Sequence, residues 1–136
     1  MGNNNYYIVN LQQSDDDRGS LVVCEINRHM PFEARRFFSI YGTQSNVIRG
    51  NHANRNSRFF MVCVQGSCQI DVDDGKTQAN FYMDNNGKAL YVNRMVWKTM
   101  RNFSPDCILL ILSDCIYDEN EYVFEYNTFK NEVQSS

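Results

Sequence analysis

Proton transfer near neutral pH is imidazole chemistry, and this chain carries only two histidines, His29 and His52. An open catalytic metal site takes about three protein ligands, commonly histidines with a carboxylate. Two histidines in unrelated contexts do not build one, so neither a metal nor any other cofactor is expected. His29 precedes Met30-Pro31-Phe32 in a loop and is assigned no role. His52 sits in Arg49-Gly50-Asn51-His52-Ala53-Asn54-Arg55, where a strand turns polar and two arginines bracket the ring. Taken alone, that imidazole reads equally as a proton carrier or as a polar packing group. If the strand stays extended, its two-residue period puts Asn54 on the same face as His52.

The remaining reactive side chains are less promising. Cys24, Cys63, Cys68, Cys107 and Cys115 form no C-x-x-C pair, and several lie inside apolar runs such as Phe59 to Val64. They read as reduced thiols that pack as small hydrophobes, with no zinc or disulfide role. Asp15-Asp16-Asp17 lacks the spread ligands and closing acid of a calcium loop, and reads as a solvated turn ending at Arg18-Gly19.

Short runs rich in β-branched and aromatic residues, separated by polar turns, must position these groups. Strands are predicted at 6–11, 21–25, 34–41, 47–52, 59–64, 68–72, 78–83, 89–92, 96–101 and 107–113. Asp73-Asp74-Gly75 is a tight hairpin signal that fixes 68–72 against 78–83. Antiparallel strands without β-α alternation point to one all-β domain over residues 1–136, a jelly roll or related barrel with its ligand in the mouth. The tail from Tyr117 is expected to cross the sheet and fray after about Phe129, with a short helix weakly signalled over 127–133.

A net charge of -3 and a pI near 5.3 argue against nucleic acid or an anionic membrane as the main partner. No apolar run approaches the ~20 residues that span a bilayer, and Met1 to Tyr7 lacks the features of a secretory leader. A cytoplasmic location is expected.

From Arg18 to Phe129 the chain resembles the TDP-4-keto-6-deoxyglucose 3,4-ketoisomerases, small cupins of the WxcM-like type. The carriers are Arg18-Gly19-Ser20-Leu21, Pro31-Phe32 with Arg35-Arg36, Arg49-Gly50-Asn51-His52-Ala53, Val64-Gln65-Gly66-Ser67, Asp73-Asp74-Gly75, Leu90-Tyr91-Val92, Met95-Val96-Trp97, Phe103-Ser104 and Tyr117-Asp118-Glu119. Their order and spacing together are specific. The resemblance implies a cupin jelly roll (double-stranded β-helix), a homodimer, a TDP-linked 4-keto-6-deoxy sugar in the barrel mouth, and His52 as proton carrier without a metal. It also implies a role in making 3-amino-3,6-dideoxy sugars for an O-antigen or other surface glycan. The chain departs from the family's His-Ala-His at Asn54, and Lys98 replaces a frequent histidine after Trp97.

Moving a carbonyl from C4 to C3 needs a base at C3, donors for the enediolate and a proton for C4. The catalytic candidates are therefore His52 as base, with Asn54 and Tyr41 as donors. Arg36, Arg49 and Lys98 are candidates for the diphosphate, Arg18 for the sugar, and Tyr91 and Trp97 for stacking. With one good proton carrier, the proton returns on the face it left, which predicts the galacto-type 3-keto product. A gluco-type product, a sugar-nucleotide epimerase and a noncatalytic sugar-binding cupin are the alternatives.

Overall fold

The computed structural model describes residues 4–135. All ten predicted strands are present, with ends displaced by no more than two residues. Strands β1 (Tyr6–Asn10), β4 (Arg36–Tyr41), β6 (Phe59–Gln65), β9 (Lys88–Val92) and β11 (Ile108–Ser113) form one antiparallel sheet in the order β1-β9-β6-β11-β4. Strands β5 (Arg49–Asn54), β7 (Cys68–Asp73), β8 (Gln78–Met83), β10 (Trp97–Arg101) and β12 (Tyr122–Val123) form the second, in the order β12-β5-β10-β7-β8. The two sheets enclose the core expected of a cupin jelly roll.

Period-two alternation decides which side chains face that core. Along β11, Leu109 and Ile111 are buried among Met61, Ile70, Leu90, Val96 and Met100, between the sheets. Leu112 points the other way, toward an outer apolar cluster with Leu11, Met30, Phe32, Phe60, Val62 and Tyr91. The outer side of the second sheet is instead covered by helix α1 (Tyr126–Ser135), whose Phe129 and Val133 pack with Ala53, Val123 and Trp97. The tail therefore does not fray after Phe129. Burial of Phe129 anchors the helix through Ser135.

The acidic run is also not simply a turn. Gln12–Asp16 is strand β2, paired with β3 (Gly19–Val23), and the reversal narrows to Asp17-Arg18. All five residues of β2 are exposed, so it has no apolar alternation by which to recognise a strand. This hairpin forms its own two-stranded sheet. Among the described residues, no helix is long and apolar enough to cross a membrane.

Candidate active site

His52 is presented by a deformed part of β5. Gly50 and Asn51 both have positive φ, +86° and +57°, and the β5–β10 register shifts between Lys98 and Thr99. A Cβ at Gly50 would lie 2.7 Å from the Lys98 carbonyl oxygen, so only glycine allows the strands to approach this closely. The kink turns the Gly50 carbonyl toward His52, whose Nδ1 donates to it at 3.0 Å. A carbonyl can only accept, so Nδ1 carries the proton and Nε2 holds the free lone pair.

Lys98 is the register partner of His52 on β10. Its ammonium is 3 % exposed, donates to Asn54 Oδ1 at 2.8 Å and lies 4.6 Å from the centroid of the Phe59 ring. Burial pushes its pKa down to about 7, against the pull of the Glu121 carboxylate. Burial also pushes His52 down, to about 4, helped by the Lys98 charge and opposed by the Gly50 hydrogen bond and Glu121. Glu121 is buried, and burial alone would raise its pKa. Hydrogen bonds from Ser57 Oγ and from the Ser57 and Asn56 amides outweigh that and hold it low. The result is a neutral imidazole beside an amine that can change charge near pH 7.

His52 and Lys98 border a cavity of about 170 Å³ between the sheets. Arg49, His52, Lys98 and Met100 form one wall, from β5 and β10. Phe38, Ile40, Phe59, Met61 and Ile111 form the facing wall, from β4, β6 and β11, and Tyr122 closes one side. One imidazole beside an amine and a guanidinium does not suit a divalent metal, which selects several neutral or anionic donors.

The predicted residues divide sharply. His52, Arg49 and Lys98 meet at the cavity. Arg36 does not line it; its guanidinium is 5.3 Å from the ring of Phe38, which does, and 5.7 Å from the Tyr117 ring, with buried Nε and Nη2 atoms that have no hydrogen-bond partner among the described residues. Asn54 lies one layer deeper than expected. It is 1 % exposed and reaches the cavity through Lys98, while its Nδ2 makes no well-formed hydrogen bond although it lies close enough to Glu121 to favour that carboxylate's charge. His52 and Asn54 both follow the kink at Gly50-Asn51, so the kink does not part them; the Asn54 amide oxygen is instead taken up by the Lys98 amine.

Tyr41 is 72 % exposed, with parity opposite to Phe38 and Ile40, so its phenol points away from the cavity. Tyr91 stacks on Tyr7 in the outer cluster, and Trp97 lies beneath α1 against Tyr126 and Phe129. Arg18, at the tip of the β2–β3 hairpin, is bound to Asp16 and lines no part of the cavity. The sequence reasoning overlooked Glu121 and the aromatic ladder in which Tyr122 stacks on Phe124 and contacts both His52 and Tyr117. Alternation in Glu121-Tyr122-Val123-Phe124 was the available signal, but the strand is only two residues long.

The family model FdtA: WxcM-like, C-terminal, matches residues 4–134. The TDP-4-oxo-6-deoxy-alpha-D-glucose-3,4-oxoisomerase of Aneurinibacillus thermoaerophilus is 36% identical over 126 residues, 93% of this chain and 91% of that protein. WlaRA of Campylobacter jejuni, a TDP-fucose-3,4-ketoisomerase, superposes with a TM-score of 0.87 at 42% identity, covering 94% of this chain and 95% of its own. WlaRB of the same organism, a TDP-quinovose 3,4-ketoisomerase, gives 0.90 at 35% identity, covering 94% and 98%.

Proposed function

This chain belongs to the FdtA family of WxcM-like domains, and from that premise we propose that it is a TDP-4-keto-6-deoxyglucose 3,4-ketoisomerase that works by metal-independent proton transfer. One observation carries the mechanism: a neutral imidazole with a free Nε2 and a low-pKa amine stand side by side on one wall of the barrel-mouth cavity.

His52 Nε2 removes the proton from C3 of the bound 4-keto sugar. The C3–H electrons form the C3=C4 bond, and negative charge moves to the former C4 carbonyl oxygen. Lys98, as an ammonium, gives that oxygen a proton and stabilises the developing charge. The resulting amine takes the hydroxyl proton from the C3 oxygen as His52 returns its proton to C4. The carbonyl is then at C3, and both side chains have their original protons. Asn54 acts through Lys98 by holding its amine in place.

The facing wall consists of Phe38, Ile40, Phe59, Met61 and Ile111, none of which can donate a proton. Delivery to C4 therefore comes from the face that lost the C3 proton, which makes the C4 hydroxyl axial and the product galacto-type. The higher identity to WlaRA, whose name refers to fucose, than to WlaRB, whose name refers to quinovose, points the same way. The donor-free wall also favours isomerase over epimerase chemistry, which needs an acid on the opposite face.

Arg36 and Arg49 are the diphosphate ligands, and the two unpartnered nitrogens of Arg36 are supplied with acceptors by the phosphates. Arg18 acts across a homodimer. Isolated hairpins such as β2–β3 are marginal in water, and the outer apolar groove containing Leu11, Val22, Met30, Phe60, Val62 and Leu112 is suited to a second copy.

Incubation with TDP-4-keto-6-deoxyglucose, followed directly by NMR, tests the assignment. Transfer of the carbonyl to C3 with a small H4–H5 coupling is expected. A large diaxial coupling rules out delivery from one face, and unchanged substrate rules out the activity.

A further inference from the structure

Away from this cavity, three cysteines expected to serve only as small packing hydrophobes, with no zinc role, bring their sulfur atoms together. Cys63 lies four residues along β6 from Phe59, about 13 Å at the strand rise of ~3.3 Å per residue. Cys68 opens β7 after the Gln65-Gly66-Ser67 turn, and Cys107 immediately precedes β11. Cys63 Sγ is 3.8 Å from Cys107 Sγ, and all three sulfurs lie within 4.8 Å of one another. The residues are 0 %, 0 % and 3 % exposed. None is in a disulfide, and none lines the His52 cavity.

The geometry points to a binding site for one soft, thiophilic metal ion of the zinc or copper(I) class, held by Cys63, Cys68 and Cys107. Metal–thiolate bonds of about 2.3 Å at a tetrahedral angle set sulfurs about 3.8 Å apart, and a trigonal arrangement sets them near 4.0 Å. The triangle therefore already has the scale of a three-sulfur site. An all-sulfur donor set selects soft ions over magnesium, calcium or manganese.

The loops carrying the cysteines are fixed without an ion. Ser67 N donates to Ser104 Oγ at 2.9 Å, Ser104 N donates to the Ser67 carbonyl at 2.9 Å, and Gln65 Nε2 reaches the Asp106 carbonyl at 2.9 Å. A Cβ on Gly66 would lie 2.4 Å from Ser104 Oγ, so the loops fit closely. The ion is thus an addition to a formed fold. Its seclusion in the core, beside Met83, Phe103 and Leu109, gives it a structural role. Each thiol that becomes a ligand releases its proton to solvent, and the thiolate pair bonds to the ion, so affinity rises with pH.

The test uses the reduced, full-length Cys24→Ser/Cys115→Ser protein, which removes the two thiols outside the cluster, titrated with Cd²⁺ under anaerobic conditions. A thiolate-to-cadmium charge-transfer band that saturates at one equivalent is expected, with a thermal midpoint that rises with Cd²⁺ concentration. Adding Cys68→Ala should weaken binding by at least about tenfold, as loss of one of three ligands requires. No band, or equal affinity in the alanine variant, overturns the site. If that variant does not fold, X-ray absorption on the cadmium-loaded parent decides: three sulfur neighbours support the assignment, and an oxygen- or nitrogen-dominated shell overturns it.

Discussion

The two walls of the cavity are made of strands of similar length, but they were built by different rules. The wall from β4, β6 and β11 keeps an even register along the residues that face the cavity, the β11–β6 shift falling beyond them between Ile108 and Leu109, and it presents only apolar side chains. The wall from β5 and β10 contains two positive-φ residues and a register shift, and it presents an imidazole and a buried amine. Regular pleating is sufficient to line a cavity with apolar side chains. On the other wall His52 and Lys98 meet as cross-strand partners, and the break beside them brings Gly50 close to Lys98 and turns the Gly50 carbonyl onto the imidazole. Strand irregularities of this kind re-aim side chains next to active sites.

Removing the base should break the asymmetry most completely. His52→Asn is expected to lower kcat by 10²–10⁴-fold, while TDP affinity changes little, because the proposed diphosphate ligands are Arg36 and Arg49. Turnover by NMR and TDP binding by calorimetry check both halves. Near-normal turnover in a folded variant would remove His52 from the reaction.

Lys98 should come next. Lys98→Met is expected to reduce kcat by roughly 10–10²-fold, because the oxygen-to-oxygen proton shift then depends on water. In the free enzyme, kcat/KM should fall as pH drops through about 4, where His52 becomes protonated, and as pH rises through about 7, where Lys98 loses its proton. The methionine variant should lose the alkaline limb alone. An alkaline limb unchanged in that variant would assign it to another group.

Those two effects depend on residues that were unequally visible in the sequence. His52 was legible because histidine is scarce and its neighbours are polar. Lys98 is legible as a cation near the site but not as a buried one, since a lysine in a strand gives no sign that it points into the core; only its register opposite His52 does. Alternation with His52 makes Asn54 legible as a donor beside the base, but nothing in the sequence shows that its amide oxygen is held by Lys98. Tyr41 shows the reverse case. It fitted the chemistry as a residue type, and the regular parity of β4 turns it outward. The strands themselves were readable because core packing enforces their pattern, whereas the exposed β2 carries no such pattern.

Arg36 tests whether the guanidinium beside Phe38 is a phosphate ligand. Arg36→Lys keeps the charge but loses the planar fork, and KM should rise about tenfold with kcat held within about twofold. A smaller change in product identity would sharpen the contrast between the walls. Phe38→His sets a proton donor on the donor-free side, and a minor fraction of product, on the order of 10%, should show the large H4–H5 coupling of the gluco form. Galacto product alone, from a variant whose new imidazole is shown by NMR to titrate, would mean that the facing wall does not control stereochemistry.

The smallest expected effect is on stability, and it runs opposite to the effect on activity. Burial lowers the Lys98 pKa from its ordinary 10.5 to about 7, so between those values the unfolded chain binds a proton that the folded protein does not. Stability must therefore rise with pH across that window and be lowest below it, where the buried amine is charged. His52 has the same sign in a more acidic window: its pKa falls from 6.5 to about 4, and stability is lost as pH drops between them. Lys98→Met removes the first of these penalties and leaves an apolar chain of similar length against Phe59. At pH 7 the variant should be more stable than the parent by on the order of 1 kcal/mol, with the alkaline rise in stability abolished and the acidic loss retained. Urea denaturation at pH 5, 7 and 9 measures each part. A variant that is less stable at pH 7 would show that the Asn54 and Phe59 contacts outweigh the cost of burying the charge, and that the polar wall is held together by the same residue that makes it reactive.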